Sequence, residues 1–178
     1  MKSLIKYTSY LLFALFCFVY FLPKESIYYE IEKYLKTENT IISNETIKEE
    51  ALGIGISDNS LYFEEIKIAD IKNIDFSTYI YATNLEIKEI TLAKNLGIYA
   101  PLKIEKIDLS YNLLDFDNLD KIDLSAKGEF GAIDGQIDFI NKVINISLEA
   151  SKMMKEKTIL LNNMKKGENE KYTYEYKF

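Results

Sequence analysis

The chain has 178 residues, is 48% hydrophobic, carries a net charge of −6, and contains neither His, Trp nor Arg. Without His there is no imidazole base, no Ser-His-Asp triad and no His-ligated metal. Without Arg there is no bidentate grip on phosphate or guanine, and the acidic balance also argues against nucleic acid as a partner.

All 22 basic residues are Lys, and the single cysteine, Cys17, rules out an intramolecular disulfide. Lys2 and Lys6 precede an apolar run that ends at Leu22-Pro23-Lys24. With Leu4 and Ile5 included, the run is close to the ~20 residues that span a bilayer as a helix. The placement of Lys predicts a cytoplasmic N-terminus. Tyr20, Phe21 and Leu22 offer none of the small residues that a signal peptidase site needs, and bulky Phe16 and Phe18 flank Cys17. Residues 1–23 are therefore expected to be an uncleaved transmembrane signal anchor, and residues 24–178 a periplasmic β-rich domain. That domain holds 20 lysines against 28 acidic groups, a charge of −8.

Glu25 to Lys36 reads as an amphipathic helix with Ile27, Ile31, Tyr34 and Leu35 on its apolar side. Thr40 to Ile42 and Glu45 to Lys48 read as short strand pieces. Leu52, Ile54 and Ile56 alternate with Gly53 and Gly55, a strand with one nearly bare face. Asp58-Asn59-Ser60 reads as a turn, with a strand resuming from Leu61 to Ile68.

The spacing apolar-x-x-apolar-x-apolar then recurs as Ile71/Ile74/Phe76, Ile87/Ile90/Leu92, Ile104/Ile107/Leu109 and Leu119/Ile122/Leu124, in steps of 16, 17 and 15 residues. One strand plus one turn fits each step, and the period-2 pairs place Ile74, Phe76, Ile90, Leu92, Ile107, Leu109, Ile122 and Leu124 on one face of a sheet. Turns are expected at Ser77-Thr78 or Thr83-Asn84, at Asn95 to Gly97, at Asp115 to Asn118 and at Asn141-Lys142. Gly128, Gly131 and Gly135 punctuate further strands, and Val143 to Leu148 is another.

Ser151 to Lys166 reads as a second amphipathic helix, capped by Ser151 and closed by Gly167. Its Lys152, Met153, Lys155, Lys157 and Met164 make it a candidate docking helix, basic and Met-rich. Tyr172 to Phe178, with aromatics at alternate positions, reads as a final strand. The expected fold class is mainly β (α+β): eight or nine antiparallel strands in a meander, curled or sandwich-like, with two flanking helices. Closure into an outer-membrane barrel is disfavoured, because charged residues populate both faces of the strands.

Chemistry is sparse. Gly53 and Gly55 lie in a strand, and no Gly-Lys-Ser/Thr phosphate loop follows. The acidic stretch Asp115, Asp117, Asp120, Asp123 fails the EF-hand spacing at Leu119 and reads as a solvated turn. No catalytic residue, metal or cofactor is expected.

The succession of features resembles a known family. A Lys-start anchor ending in Leu22-Pro23-Lys24 leads to a helix, a Gly-interrupted strand and the Ile-x-x-Ile-x-Leu steps. Gly128-Glu-Phe-Gly131-Ala-Ile-Asp-Gly135, Ile146-Ser-Leu148-Glu-Ala-Ser151 and a Tyr-rich terminal strand follow. This resembles the type II secretion system protein N family and, more broadly, the AsmA-like periplasmic β-sheet proteins. The resemblance implies a single-pass bacterial inner-membrane protein, non-enzymatic, with an accessory or scaffold role in type II secretion or envelope assembly. Its partners would be envelope or secretion-system proteins. A lipid- or lipopolysaccharide-binding or transfer module, holding acyl chains on the apolar face, is the alternative.

Overall fold

The computed structural model describes residues 2–156, 158–167 and 170–178. Helix α1 (Lys2–Tyr20) is long and apolar enough to cross a membrane, a property that signal sequences share, and none of its apolar window is buried. Lys24 opens helix α2 (Lys24–Thr37). Eleven strands follow: β1 (Thr40–Ser43), β2 (Thr46–Glu50), β3 (Gly53–Phe63), β4 (Ile66–Thr78), β5 (Ala82–Leu92), β6 (Lys103–Asn112), β7 (Lys121–Gly128), β8 (Gly131–Asp138), β9 (Val143–Ala150), β10 (Lys165–Lys166) and β11 (Tyr172–Lys177). All belong to one open antiparallel sheet. Helices α3 (Lys152–Lys155) and α4 (Thr158–Leu161) each make a single turn.

The sheet is a meander from β3 to β9, with each hairpin placing the next strand beside the last. β1 and β2 lie end to end along β3 and form one edge strand, broken at Asn44, which has a φ of 64°. At the other edge β11 pairs with β9, and the two residues of β10 cover only Tyr172 and Thr173. The path ends in β1 and β10 without closing, so the described strands do not form a barrel.

The expected turn at Asp58-Asn59-Ser60 lies inside β3. Asp58 takes a left-handed φ of 57° within the strand, and the hairpin turns instead at Glu64 and Glu65, with φ of 48° and 67°. Two positive φ values make a tight hairpin turn that usually selects Asn-Gly, so two glutamates give no signal of it. Both candidate turns at Ser77-Thr78 and Thr83-Asn84 are strand; the Thr78 and Thr83 hydroxyls hydrogen-bond at 3.0 Å and close the hairpin around residues 79–81.

The stepped repeat has a structural cause in three of its four copies. Ser57 pairs with Asn73, and Asn59 with Ile71; Asn73 pairs with Lys88, and Ile71 with Ile90; Lys88 pairs with Lys106, and Ile90 with Ile104. Asp58, Lys72, Glu89 and Glu105 stand between these pairs, outside the ladder, at one level across β3–β6. Asp58 and Glu89 have φ near +55° (57° and 53°). The irregularity ends at β7, where Ile104 and Lys106 face the consecutive Gly128 and Lys127. One extra residue per strand creases the sheet and leaves the residues on both sides of the crease on the same face. In the fourth copy, Leu119 lies in the loop before β7 and is exposed.

The second predicted helix, residues 151–166, is not continuous. The Ser151 side chain caps α3 by accepting from the Met154 amide (3.1 Å), but the chain breaks after one turn, and Lys165-Lys166 joins the sheet. Gly167 donates its amide to the Lys171 carbonyl in the β10–β11 connection and closes no helix. Helix α2 is present, but rotated from the expected orientation. Tyr28 and Glu32 are its buried residues beside Lys24, whereas Ile31 and Tyr34 are 51% and 66% exposed; the Ile27 side chain lies outside the described set.

Candidate functional site

Cross-strand partners in an antiparallel sheet share a face, so the register defines the apolar surface. One row runs Ile56, Ile74, Ile87, Ile107, Ala126, Ile133 and Leu148. The next runs Ile54, Phe76, Leu85, Leu109, Leu124, Gly135 and Ile146. A third, across the second half of the sheet, contains Ile122, Ile137 and Ile144. Six of the eight residues expected on a common face lie in these rows; the other two, Ile90 and Leu92, pair with Ile71 and Ala69 beyond the crease and pack in the same cluster as Ile56 and Ile74.

Their burial differs. Ile74 and Ile90 are buried in a cluster with Tyr28, Ile54, Ile56, Ala69 and Ile71, where α2 packs on β1–β3. At the far end Ala126, Phe130 and Leu148 are buried with Met154 and Leu161, beneath α3 and α4. Phe76, Leu92, Ile107, Leu109, Ile122 and Leu124 are half-buried. The apolar face is therefore core under its two helical flanks and a partly open surface between them.

Two glycines shape the β7–β8 corner. Gly131 has a φ of 116°, and a side chain there would collide with the Glu149 carbonyl; at Gly128 it would meet the Lys103 carbonyl. The tight approach lets Phe130 fold inward, and Ser151 ties the corner through its hydroxyl to the Glu129 carbonyl (2.5 Å) and its amide to the Phe130 carbonyl (2.9 Å).

The opposite face is polar and charge-paired. Lys72 bridges Glu89 beside the crease (2.8 Å). Glu86 lies between Lys106 and Lys88, and Lys106 also reaches Asp108 (2.9 Å). Lys106, then Lys88, hold the Glu86 carboxyl below the usual carboxylate range, and Glu86 followed by Asp108 raises the Lys106 ammonium. An open concavity of about 910 Å³ spans this face over β6–β11, bordered by Asp108, Asp123, Asp134 and Glu175. Gln136 donates to Asp123 (2.8 Å). Among the described residues no three His, Cys, Asp or Glu side chains group closely enough to hold a metal ion. Asp115 instead accepts the Asn118 side-chain amide (2.9 Å) within its own turn.

The proposed docking helix does not assemble. Lys152 and Met153 are exposed, Lys155 is engaged with Glu170 (2.7 Å), and Met164 packs against the buried cluster of Phe130 and Leu148; Lys157 lies outside the described residues. Sequence reasoning did not select Leu85, Ile133 or Ile146, which complete the apolar rows. Their assignment needs the strand register, which local spacing does not give.

Compared with known proteins, the chain matches no family model, no curated protein and no solved structure.

Proposed function

We propose that the chain is a non-enzymatic, single-pass protein of the bacterial inner membrane whose periplasmic sheet holds acyl chains of phospholipid or lipopolysaccharide against its apolar face. The observation that carries this reading is the half-buried stretch of that face between the α2 and α3–α4 flanks, around Leu109, Leu124 and Ile122. A single-layer sheet with an apolar side of this extent needs a cover, and an acyl chain supplies one without directional bonds. Helix α1 supports the membrane attachment by its length and composition. The resemblance to AsmA-like sheet proteins agrees with the assignment.

An accessory or scaffold role in type II secretion or envelope assembly is the second reading. It is supported by the outer edge of β11, where, among the described residues, no strand pairs with 174–177 on the side away from β9, which suits an added strand.

Photocrosslinking in native membranes tests the first reading while avoiding lipid bound to α1. A photoreactive residue at Ile122 should yield a lipid adduct, and one at Gln136, on the opposite face, should not. Equal labelling, or protein adducts alone at Ile122, would refute it.

A further inference from the structure

The two ends of the sheet are chemically unlike. Beyond the cross-strand row Ser77, Asn84, Ser110, Asp123, Gln136, Asn145 lie the β4–β5 turn, the β6–β7 loop, the β8–β9 turn and the C-terminus. Each carries exposed apolar side chains: Ile80 and Tyr81 in the first, Leu114 and Phe116 in the second, Ile140 in the third and Phe178 at the end, from 42% to 78% exposed. At the opposite end the β3–β4 tip is Glu64-Glu65, and the β7–β8 tip is Glu129 followed by buried Phe130. Exposed apolar side chains occur at that end too, Phe63 and Ile66 beside the β3–β4 tip, Ile98 and Tyr99 in the β5–β6 connection and Met153 and Ile159 past the end of β9, but the β3–β4 and β7–β8 tips themselves are acidic.

Helix α1 joins the sheet at the apolar end. The Lys24 amide donates to the Glu49 carboxylate (3.2 Å), and Glu49 pairs with Ile54 beside the β2–β3 turn. The Lys24 side chain is buried and its ammonium donates to the Tyr20 carbonyl (2.9 Å), fixing the α1–α2 junction there. Helix α2 then runs to the other end, where the Glu64 amide meets the Asn39 carbonyl (2.9 Å).

We infer that these loop tips form a rim that inserts into the interface of the same bilayer that holds α1, so that the sheet stands on the membrane with its strands pointing away from it. This rests on the reading of α1 as an anchor. Tyr, Phe, Leu and Ile at one level, alongside a membrane helix, are the side chains that settle at the headgroup boundary. Successive strands lie ~4.8 Å apart, so the rim from β4 to β11 spans roughly 29 Å of bilayer surface. The rim has no cationic excess: Asp115, Asp117, Asp120 and Asp138 outnumber Lys121 and Lys142. Its attachment is therefore hydrophobic and requires no anionic lipid. In this posture the half-buried stretch of the apolar face rises directly from the lipid.

Because the chain has no Trp, one introduced tryptophan is a reporter without background. The full chain carrying Phe116→Trp, Ile140→Trp or Ile98→Trp is reconstituted in phosphatidylcholine vesicles with and without brominated lipid. The tip reporters at positions 116 and 140 should be blue-shifted and at least twofold quenched, insensitive to salt. The reporter at position 98, also exposed but at the other end, should be unaffected. Tip reporters as unquenched as the one at position 98 overturn the rim, whether or not the chain is retained on the vesicles. Alkaline carbonate extraction reads the anchor separately: release of a chain whose tips had been quenched refutes the anchor and leaves the rim as a peripheral contact.

Discussion

The crease across β3–β6 makes an unusual demand on deletion mutants. Removing Glu89 alone shortens β5 by one residue, so either Ile90 and Leu92 or the residues before the crease must turn to the charged face, because a one-residue slip inverts every side chain beyond it. Ile90 is buried and Leu92 half-buried. Each buried aliphatic side chain contributes about 1.5–3 kcal/mol, so the deletion should cost roughly 3–5 kcal/mol. That is a large share of the ~5–15 kcal/mol that stabilises a typical domain. Deleting Asp58, Lys72, Glu89 and Glu105 together removes the extra residue from every creased strand. Ser57 and Asn59, then Asn73 and Ile71, Lys88 and Ile90, and Lys106 and Ile104, become consecutive ladder positions with their faces unchanged. The quadruple deletion also removes two left-handed non-glycine residues, each costing about 1–2 kcal/mol; what it sacrifices is the exposed Lys72–Glu89 pair. Urea unfolding of the full chain in detergent, followed by far-UV circular dichroism, should therefore find the quadruple deletion more stable than the Glu89 deletion by at least about 2 kcal/mol. A quadruple deletion no better than the single one would refute the aligned crease.

Other outcomes follow from the same contacts. Leu148→Ala empties a fully buried site and should cost about 3–4 kcal/mol in urea unfolding, against roughly 1 kcal/mol for Leu124→Ala on the half-open face; equal costs would mean that the face is closed core. Gly131→Ala, which places a side chain against the Glu149 carbonyl at a φ of 116°, should destabilise by more than about 3 kcal/mol, read as a fall in thermal midpoint. Replacing Glu64-Glu65 by Asn-Gly fits the turn's two positive φ values and should raise the urea midpoint by the equivalent of up to about 1 kcal/mol. Glu86, Glu149 and Asp70 are all held below the usual carboxylate range, chiefly by Lys106, Lys171 and Lys67. Their folded pKa values lie below the unfolded ones, so their contribution is present above about pH 4 and is lost as pH falls through the folded values. Lys106→Met should shallow the acid side of the stability profile, and high salt should do the same to the parent chain.

The sequence makes the β meander legible because Ile and Leu recur at strand spacing, and α1 because its residues are apolar on all sides. The step from Ile71 to Ile74 was visible as a repeat, but its cause was not. A two-residue gap in one strand reads as a turn or a slip, and only the neighbours at Ile87/Ile90 and Ile104/Ile107, once set in register, show it to be one crease shared by several strands. The hairpin at Glu64-Glu65 was hidden because its residues are poor turn formers whose left-handed geometry is imposed by the β3–β4 pairing on either side. Helix α2 was legible as a helix and misread in rotation: Ile31 and Tyr34 are the more apolar side, yet Tyr28 faces the sheet because Lys24 is pinned to Glu49 and fixes the angle at which the helix starts. The failed helix at 151–166 has a local reason as well. The Ser151 cap nucleates one turn, but two residues at its far end, Lys165 and Lys166, are drawn into pairing with β11, and strand geometry at one end prevents a helix from running to Gly167. Each misreading has the same origin: local periodicity names the element, and its rotation, length and face are set by partners far away in the chain. The loop tips around Phe116 and Ile140 follow the same logic. Individually each is an ordinary exposed apolar residue, and only the register that brings three connections and the C-terminus to the end where α1 enters makes them a surface.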